Sequence, residues 1–197
     1  MISSPRYPNI IFRKKINVQK DIDSVIKSIR DNSPVGLHLG CGNNRIPGLI
    51  NCDLFAEKAD MKICATNLEN FESESVDLIE HHHMIEHLSF KEALIGIKEW
   101  ARVLKIGGYL IITCPNIHRV LLKWFLARRY WKYEYIIKMI YGPQEHEGMF
   151  HKSAYDKQRF VELLAPHNID VEFSYTPYPN RPTPSLLIIA RKKSSQN

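Results

Sequence analysis

The sequence predicts an α/β protein with one doubly wound, mostly parallel sheet of about seven strands and an antiparallel strand near its C-terminus. Short apolar runs of strand length alternate with amphipathic segments of helical period along the chain. Gly, Pro and Asn separate these segments, as expected of turns. The length of 197 residues suits one domain with a substantial core.

The N-terminal half contains most of the predicted strands. Residues 17–31 have apolar side chains at helical spacing among charges, and Asn32-Ser33-Pro34 ends that helix. Buried strands are then predicted at 35–39, 49–53, 61–64 and 76–81. An amphipathic helix over 90–104 follows, with Ser89 as its N-cap. Gly107-Gly108 is expected to turn the chain into a strand over 109–114.

The C-terminal half adds a helical insertion after the fifth strand. Residues 117–141 are helical in pattern and mix aromatic with basic side chains, and Gly142-Pro143 ends them. A helix over 153–164 and closing strands at 171–175 and 186–191 follow. The single domain, 1–197, therefore divides into an N-terminal arm and helix (1–33), a cofactor-binding core (35–116), a lid or acceptor segment (117–152) and a closing unit (153–191).

Composition restricts the environment and the partners. No apolar run is long enough to span a bilayer, and residues 1–6 lack the apolar core of a signal peptide. Four cysteines without a CxxC pair indicate reduced, mostly buried thiols, so we expect a cytoplasmic protein. The formal net charge of +6 leaves an anionic partner open, although a solvated basic surface explains it equally.

A glycine turn and an acid point to a nucleoside cofactor. Gly40-Cys41-Gly42 follows the first predicted strand, and Asp53 ends the second. Glycines let the backbone approach a ligand closely, and a carboxylate accepts hydrogen bonds from ribose hydroxyls. Ligands of such sheets bind at the carboxyl ends of the strands, where these residues lie. The pattern by itself does not specify the cofactor, although the missing third glycine disfavours a nicotinamide dehydrogenase.

Five motifs follow one another along the chain, and the first, at residues 37–54, reads LHLGCGNNRIPGLINCDL. It resembles the LxLGCGxxxxPGxINxDL of a small bacterial type of class I S-adenosylmethionine-dependent methyltransferases, which have a Rossmann-like fold. VDLI at 76–79 and HMIEHL at 83–88 are similar to its FDxI and HxLEHL. RVLKIGGYL at 102–110 and GPQEHEGMFHK at 142–152 are similar to its RVLKPGGxL and GxQEHxxxxHK. Several ordered motifs are far more specific than a lone GxG.

The departures from this pattern concern the cofactor loop. His38 replaces an acid and Asn44 replaces a third glycine found in many members. Only about ten residues separate Gly42 from Asp53, which is short for a crossover connection. The first crossover helix is therefore expected to be shortened, or replaced by a loop around Pro47-Gly48.

The resemblance implies S-adenosyl-L-methionine as cofactor and S-adenosyl-L-homocysteine as product. The implied cofactor contacts are Gly40, Cys41, Gly42, Asp53, Leu54, Asn67, Leu68, His82, His83 and His87. Asp53 would bind the ribose, Leu54 would pack on adenine, and the histidines would contribute mainly backbone contacts. For a hydroxyl acceptor, His151 and His146 are the first candidates for the general base. Glu145, His146 and His151 could chelate an ion, but we expect no metal.

The expected function is methyl transfer to a small-molecule or carbohydrate-type acceptor. An RNA- or protein-directed methyltransferase and a non-catalytic cofactor-binding subunit are the alternatives. A nucleic-acid partner is disfavoured because no nucleic-acid module is visible. Residues 117–141 admit three interpretations: ordinary helix packing, a lid over the acceptor, or a weak membrane-surface contact. The acceptor atom and the oligomeric state stay open.

Overall fold

The computed structural model describes residues 18–126, 133–145, 147–176 and 184–195. Across these residues the chain forms one sheet with helices on both faces. The strands are β1 (Gly36–Leu39), β2 (Ile50–Cys52), β3 (Val76–His82), β4 (Leu104–Pro115), β5 (Ile169–Tyr175) and β6 (Ser185–Lys192). The helices are α1 (Val18–Asp31), α2 (Phe90–Val103), α3 (Ile117–Leu126), α4 (Tyr133–Tyr141) and α5 (Lys157–Leu164).

The sheet has the mixed topology that the sequence predicts, and within the described residues it contains six strands, where about seven were expected. Its order is β2-β1-β3-β4-β6-β5. Strands β1 to β4 run parallel, and β6 lies antiparallel between β4 and β5. The strand expected at 61–64 is wrong: Met61 forms only an isolated bridge to Cys52. The carboxyl ends of β1, β2, β3 and β4 therefore meet at one edge, where a ligand of such a sheet binds.

Two apolar layers cover the sheet because its central strands are apolar on both faces. On one face, Ile22, Ile26 and Ile29 of α1 pack against β3, β4 and β6. On the other face, Trp100 of α2 and Phe160 of α5 belong to the larger core cluster. Ser89 caps α2 as the sequence predicts, and the structure adds a reciprocal bond from its backbone N–H to the Glu92 side chain, which completes a capping box.

Strand β4 begins earlier than the sequence suggests. Gly107-Gly108 was expected to separate helix from strand, but Leu104 already pairs with Val76. The register shifts before Leu78 pairs with Tyr109, so the intervening residues form a bulge within the strand. Gly107 has φ of +86°, and this backbone conformation makes the bulge possible.

The insertion after β4 is divided into α3 and α4. Residues 127–132, within the helix expected over 117–141, lie outside the described part of the chain. Residues 1–17 at the N-terminus and residues 177–183, between the two closing strands, also lie outside it. The helix expected over 153–164 begins only at Lys157, because the Asp156 side chain caps it. In the described ranges, no helix combines the length and apolar character needed to cross a bilayer. All four cysteines are free thiols, and three of them are buried.

Candidate cofactor and acceptor site

The glycine turn after β1 has a backbone that side chains rarely adopt. Gly40 has φ of +64° and Gly42 has φ of +50°. A Cβ at Gly40 would lie 2.4 Å from Cγ of Met84, so only glycine fits there. A Cβ at Gly42 would have no heavy atom within 4 Å. The turn is thus packed tightly behind Gly40 and open in front of Gly42, as a ligand approaching the backbone requires.

Asp53 holds this turn in place. Its Oδ2 accepts a hydrogen bond from Gly42 N at 2.8 Å, and its Oδ1 accepts from Phe55 N at 2.7 Å and Ala56 N at 2.8 Å. Burial opposes the charge, but these three N–H donors and the Lys62 ammonium outweigh it and lower the pKa of Asp53. A carboxylate has about four acceptor positions, so roughly one is left for a ligand hydroxyl.

The neighbours of Asp53 are apolar and unusually exposed. Leu54 is 51% exposed and Phe55 is 70% exposed, beside a charged group at the edge of the sheet. An exposed apolar pair of this kind suits a flat, weakly polar ring. Leu68, also expected to contact the cofactor, is instead fully buried in the core, while the preceding Asn67 is exposed and its Oδ1 accepts from Glu69 N.

A loop replaces the first crossover helix, and Asn51 organises it. Asn51 Oδ1 accepts from Ile46 N at 2.7 Å, and Nδ2 donates to Leu49 O at 2.9 Å. Asp60 accepts from both the backbone N and Nδ2 of Asn51. These bonds satisfy backbone groups that a helix would otherwise pair. The INxDL pattern contained this signal, since an Asn inside a short buried strand needs several partners.

A buried charged network lies under β1 and β3, and sequence reasoning missed it. The fully buried Glu80 accepts from Nε of Arg30 at 2.8 Å and from its Nη2 at 2.5 Å. His82 Nε2 lies 2.6 Å from Glu80 Oε1, and its Nδ1 lies 2.9 Å from Thr113 Oγ1. His38, which replaces the usual acid, packs edge-on against His82 and bonds Asn51 rather than the glycine turn.

The pKa values of Glu80 and His38 are shifted by their burial and by their contacts within this network. Burial alone would raise the pKa of Glu80, yet the hydrogen bonds from Arg30 and His82 lower it to about 2. Burial also lowers the pKa of His38, which favours the neutral ring. His82 is thereby engaged in the network through its side chain, which leaves only its backbone for a cofactor.

A second polar cluster lies beyond the end of β3. The turn of 3-10 helix at Ile85–His87 places Glu86 and His87 beside His151, and the rings of the two histidines are 5.0 Å apart. His83, which has φ of +51°, lies with Nδ1 3.0 Å from Glu86 Oε1. His146, the other candidate base, lies outside the described residues, so the structure describes only part of the Glu145–His146–His151 set that could chelate an ion.

A small cavity adjoins this cluster. Its volume is about 40 Å³, and Glu86, His151 and Ser153 contribute its polar lining. Pro115 at the end of β4 and Ile117 at the start of α3 form part of its apolar wall. The cavity therefore lies between the carboxyl end of β4 and the insertion, and sequence spacing alone could not bring residues 86 and 151 together.

The comparisons with known proteins agree with this geometry. Residues 37–112 match a family model described as a methyltransferase domain. The fold is similar to a SAM-dependent methyltransferase from Methanosarcina mazei, with 19% identity and a TM-score of 0.61 over 87% of this chain and 98% of that one. No protein of curated function matches the chain in sequence.

Two further solved structures are similar and act on different molecules. One is the 1,6-didemethyltoxoflavin-N1-methyltransferase of Burkholderia thailandensis with bound 1,6-didemethyltoxoflavin and S-adenosylhomocysteine. It is 14% identical to this chain and has a TM-score of 0.58, over 90% of this chain and 79% of that one. The other is a small RNA methyltransferase, which is 16% identical to this chain and has a TM-score of 0.53, over 99% of this chain and 27% of that one. At these identities the neighbours establish the fold.

The chain thus has the Rossmann-like fold of class I methyltransferases, and part of it matches a methyltransferase domain. The fold and the domain match also support S-adenosylmethionine as the cofactor. The residues at the sheet edge fit this group, since the Cβ position of Gly42 is open and Asp53 keeps about one free acceptor position. The acceptor differs among the neighbours and is a separate question.

Proposed function

We propose that this protein transfers the methyl group of S-adenosylmethionine to a small-molecule or carbohydrate-type acceptor. The observation that carries the proposal is the glycine turn tied to Asp53, with open space in front of Gly42. The cofactor would supply an activated methyl group on a sulfonium. The work of the chain is then to orient the acceptor and take up its proton.

The proposed cofactor contacts lie along the edge formed by β1, β2 and β3. The backbone of Gly40, Cys41 and Gly42 would face the amino-acid end of the cofactor. Asp53 would accept from a ribose hydroxyl through its remaining acceptor position, and Leu54 would cover the adenine. His83 and His87 follow β3 at this edge, and their backbone is the natural contact there.

The small cavity beside His151 is proposed as the place of the acceptor atom. Its size suits one polar group rather than a large planar ligand. His151 Nδ1 lies 3.1 Å from Met139 O, and because a carbonyl only accepts, Nδ1 carries the proton. The lone pair is then on Nε2, and a group at that position can take a proton from an acceptor hydroxyl.

An RNA acceptor is the second candidate, favoured by one surface. On α3, Trp124 is 39% and Phe125 is 75% exposed, next to Lys123. Exposed aromatic rings beside cations can stack on unpaired bases. Filter binding with total RNA across a salt series separates the two candidates, because phosphate contacts make affinity fall steeply with salt. Affinity that does not depend on salt argues against RNA.

Calorimetric titration with S-adenosylhomocysteine tests the cofactor site. The variant Gly42→Ala should weaken binding at least ~10-fold, because the methyl group occupies the open space in front of the turn. Gly48→Ala is the matched control: Gly48 also has positive φ, +85°, with nothing within 4 Å, but it precedes β2 at the opposite edge of the sheet.

A second variant tests the acid. Asp53→Asn should weaken binding by about ten-fold or more, since a charge-assisted hydrogen bond contributes ~1.5–3 kcal/mol. Wild-type protein that shows no binding, or equal affinities for Gly42→Ala and Gly48→Ala, would contradict the proposed site. Binding without methylated product across acceptor classes would instead support a non-catalytic subunit.

A further inference from the structure

Glu86, His87 and His151 converge on one point. Each offers one ligand atom, and these atoms all lie within 4.8 Å of one another. Lys152 N donates to Glu86 O at 2.8 Å and Ser153 N donates to the same oxygen at 3.2 Å. The two segments are therefore joined by backbone hydrogen bonds directly beside the cluster, so its members are held together by more than side-chain packing.

Both histidines are oriented by backbone carbonyls. Nδ1 of His87 lies 3.2 Å from Phe150 O, and Nδ1 of His151 lies 3.1 Å from Met139 O. Since a carbonyl oxygen only accepts, each Nδ1 is the donor and each Nε2 carries the lone pair. A ring nitrogen bonded to a carbonyl, with the other nitrogen free to bind, is the usual arrangement of metal-ligating histidine.

Glu86 adds a buried oxygen without a partner. The residue is 1% exposed, and Oε1 is bonded to His83 Nδ1. Oε2 has no hydrogen-bond partner among the described residues. A buried carboxylate oxygen left without a donor is costly, on the order of 1–3 kcal/mol or more. A cation in front of Oε2 would remove that cost.

We propose that Glu86 Oε2 and the Nε2 atoms of His87 and His151 bind one divalent transition-metal cation, of the kind represented by Zn²⁺ or Co²⁺. Two imidazoles and one carboxylate suit these ions better than Mg²⁺ or Ca²⁺. Tetrahedral ligands at ~2.0–2.1 Å from an ion are about 3.3 Å apart. The ligand atoms therefore need to approach one another by at most about 1.5 Å, which rotation of their end groups provides.

Such an ion would face the small cavity, where three protein ligands leave a coordination position open. A hydroxyl or water bound there loses its proton more easily. The function of the ion in methyl transfer rests on the proposed function, whereas its binding does not. In this arrangement His151 acts as a ligand, and the metal takes over the activation that a histidine base would provide.

Titration of the chelator-treated full-length protein with Co²⁺ tests the proposal. Calorimetry should show one ion per chain, and the visible spectrum should show cobalt bound to nitrogen and oxygen. His87→Ala and His151→Ala should each weaken Co²⁺ binding at least ~10-fold. His167→Ala, at a half-buried histidine of the 3-10 turn Ala165–His167, should bind Co²⁺ like the wild type.

The outcomes separate the metal site from the cofactor site. Absence of Co²⁺ binding, equal affinity in His87→Ala and wild type, or an intense thiolate-to-cobalt band would overturn the metal site. S-adenosylhomocysteine titrated into the same sample reports on the proposed function independently. Glu86→Gln should likewise weaken Co²⁺ binding. If this variant fails to fold, as judged by circular dichroism, His87→Ala still tests the site, because His87 is partly exposed and its removal opens no cavity in the core.

Discussion

Substitution of Glu80 by Gln should destabilise the protein in a pH-dependent way. The side chain is fully buried, and its carboxylate is bonded by Arg30 and His82. Gln keeps the shape but removes the charge and turns one acceptor oxygen into a donor facing the guanidinium. Breaking one side of a buried pair costs about 3–5 kcal/mol.

The magnitude can also be worked from the pKa of Glu80. A fall from 4.5 to about 2 on folding corresponds to roughly 3 kcal/mol of stability. Because the pKa is lower in the folded state, this stability is complete above about pH 5 and is lost as the pH falls toward 2. At pH 3.5 about 1.4 kcal/mol of it should be gone.

Urea unfolding of wild type and Glu80→Gln at pH 7 and pH 3.5 measures both effects. The difference in unfolding free energy should be about 3 kcal/mol at pH 7 and narrow to roughly 2 kcal/mol at pH 3.5. Glu172→Gln is the control, since Glu172 pairs with Lys193 at the surface and should contribute at most ~1 kcal/mol. A loss below ~1 kcal/mol at pH 7, or a difference that does not change with pH, would refute the reasoning.

Three further predictions concern the elements around the site. Ser89→Ala should lower the unfolding free energy by about 1 kcal/mol in urea, because it removes the acceptor of Glu92 N; an unchanged midpoint would count against the capping box. Gly40→Ala should cost at least ~2 kcal/mol, since its Cβ would meet Met84 Cγ at 2.4 Å, and wild-type stability would disprove that packing. His81→Leu should be at least as stable as wild type at pH 7, because both ring nitrogens of His81 are buried without a partner in the described residues. Burial lowers the pKa of His81 to about 3, so the unfolded wild type gains a proton first and the advantage of Leu should grow from pH 6.5 toward pH 3; a constant difference would refute it.

Local sequence signals predicted the order of elements and the glycine turn, because these features depend on residues that are neighbours along the chain. Positive φ at Gly40 and the cap at Ser89 are of this kind. The prediction was wrong where pairing across the sheet decides. Leu104 joins β4 because Val76 lies opposite it, and residues 61–64 find only the single bridge of Met61. No local pattern reports which strand is adjacent.

In the candidate site, too, some features follow from local sequence signals and others depend on contacts between distant parts of the chain. The ribose contact predicted for Asp53 from its place at a strand end stays a prediction, whereas its bonds to the turn are a finding of the structure. The Glu86 and His151 cluster depends on backbone bonds from residues 152 and 153 to Glu86, across more than sixty positions of the chain. The bidentate bond of Arg30 to Glu80 likewise joins α1 to β3. Residue types suggested these groups, but only the fold sets their partners.

The loop in place of the first crossover helix changes how the cofactor edge is held. A helix beginning at this turn would present its N-terminal N–H groups and positive dipole end to the ligand. Here Asn51 fixes the far end of the loop and Asp53 fixes Gly42 N, so one carboxylate both shapes the turn and remains available to a ligand. The cofactor affinity of this protein should consequently depend on Asp53 twice. If Asp53 binds the ribose as proposed, loss of its charge removes a ligand contact and also releases the turn that positions the rest of the ligand.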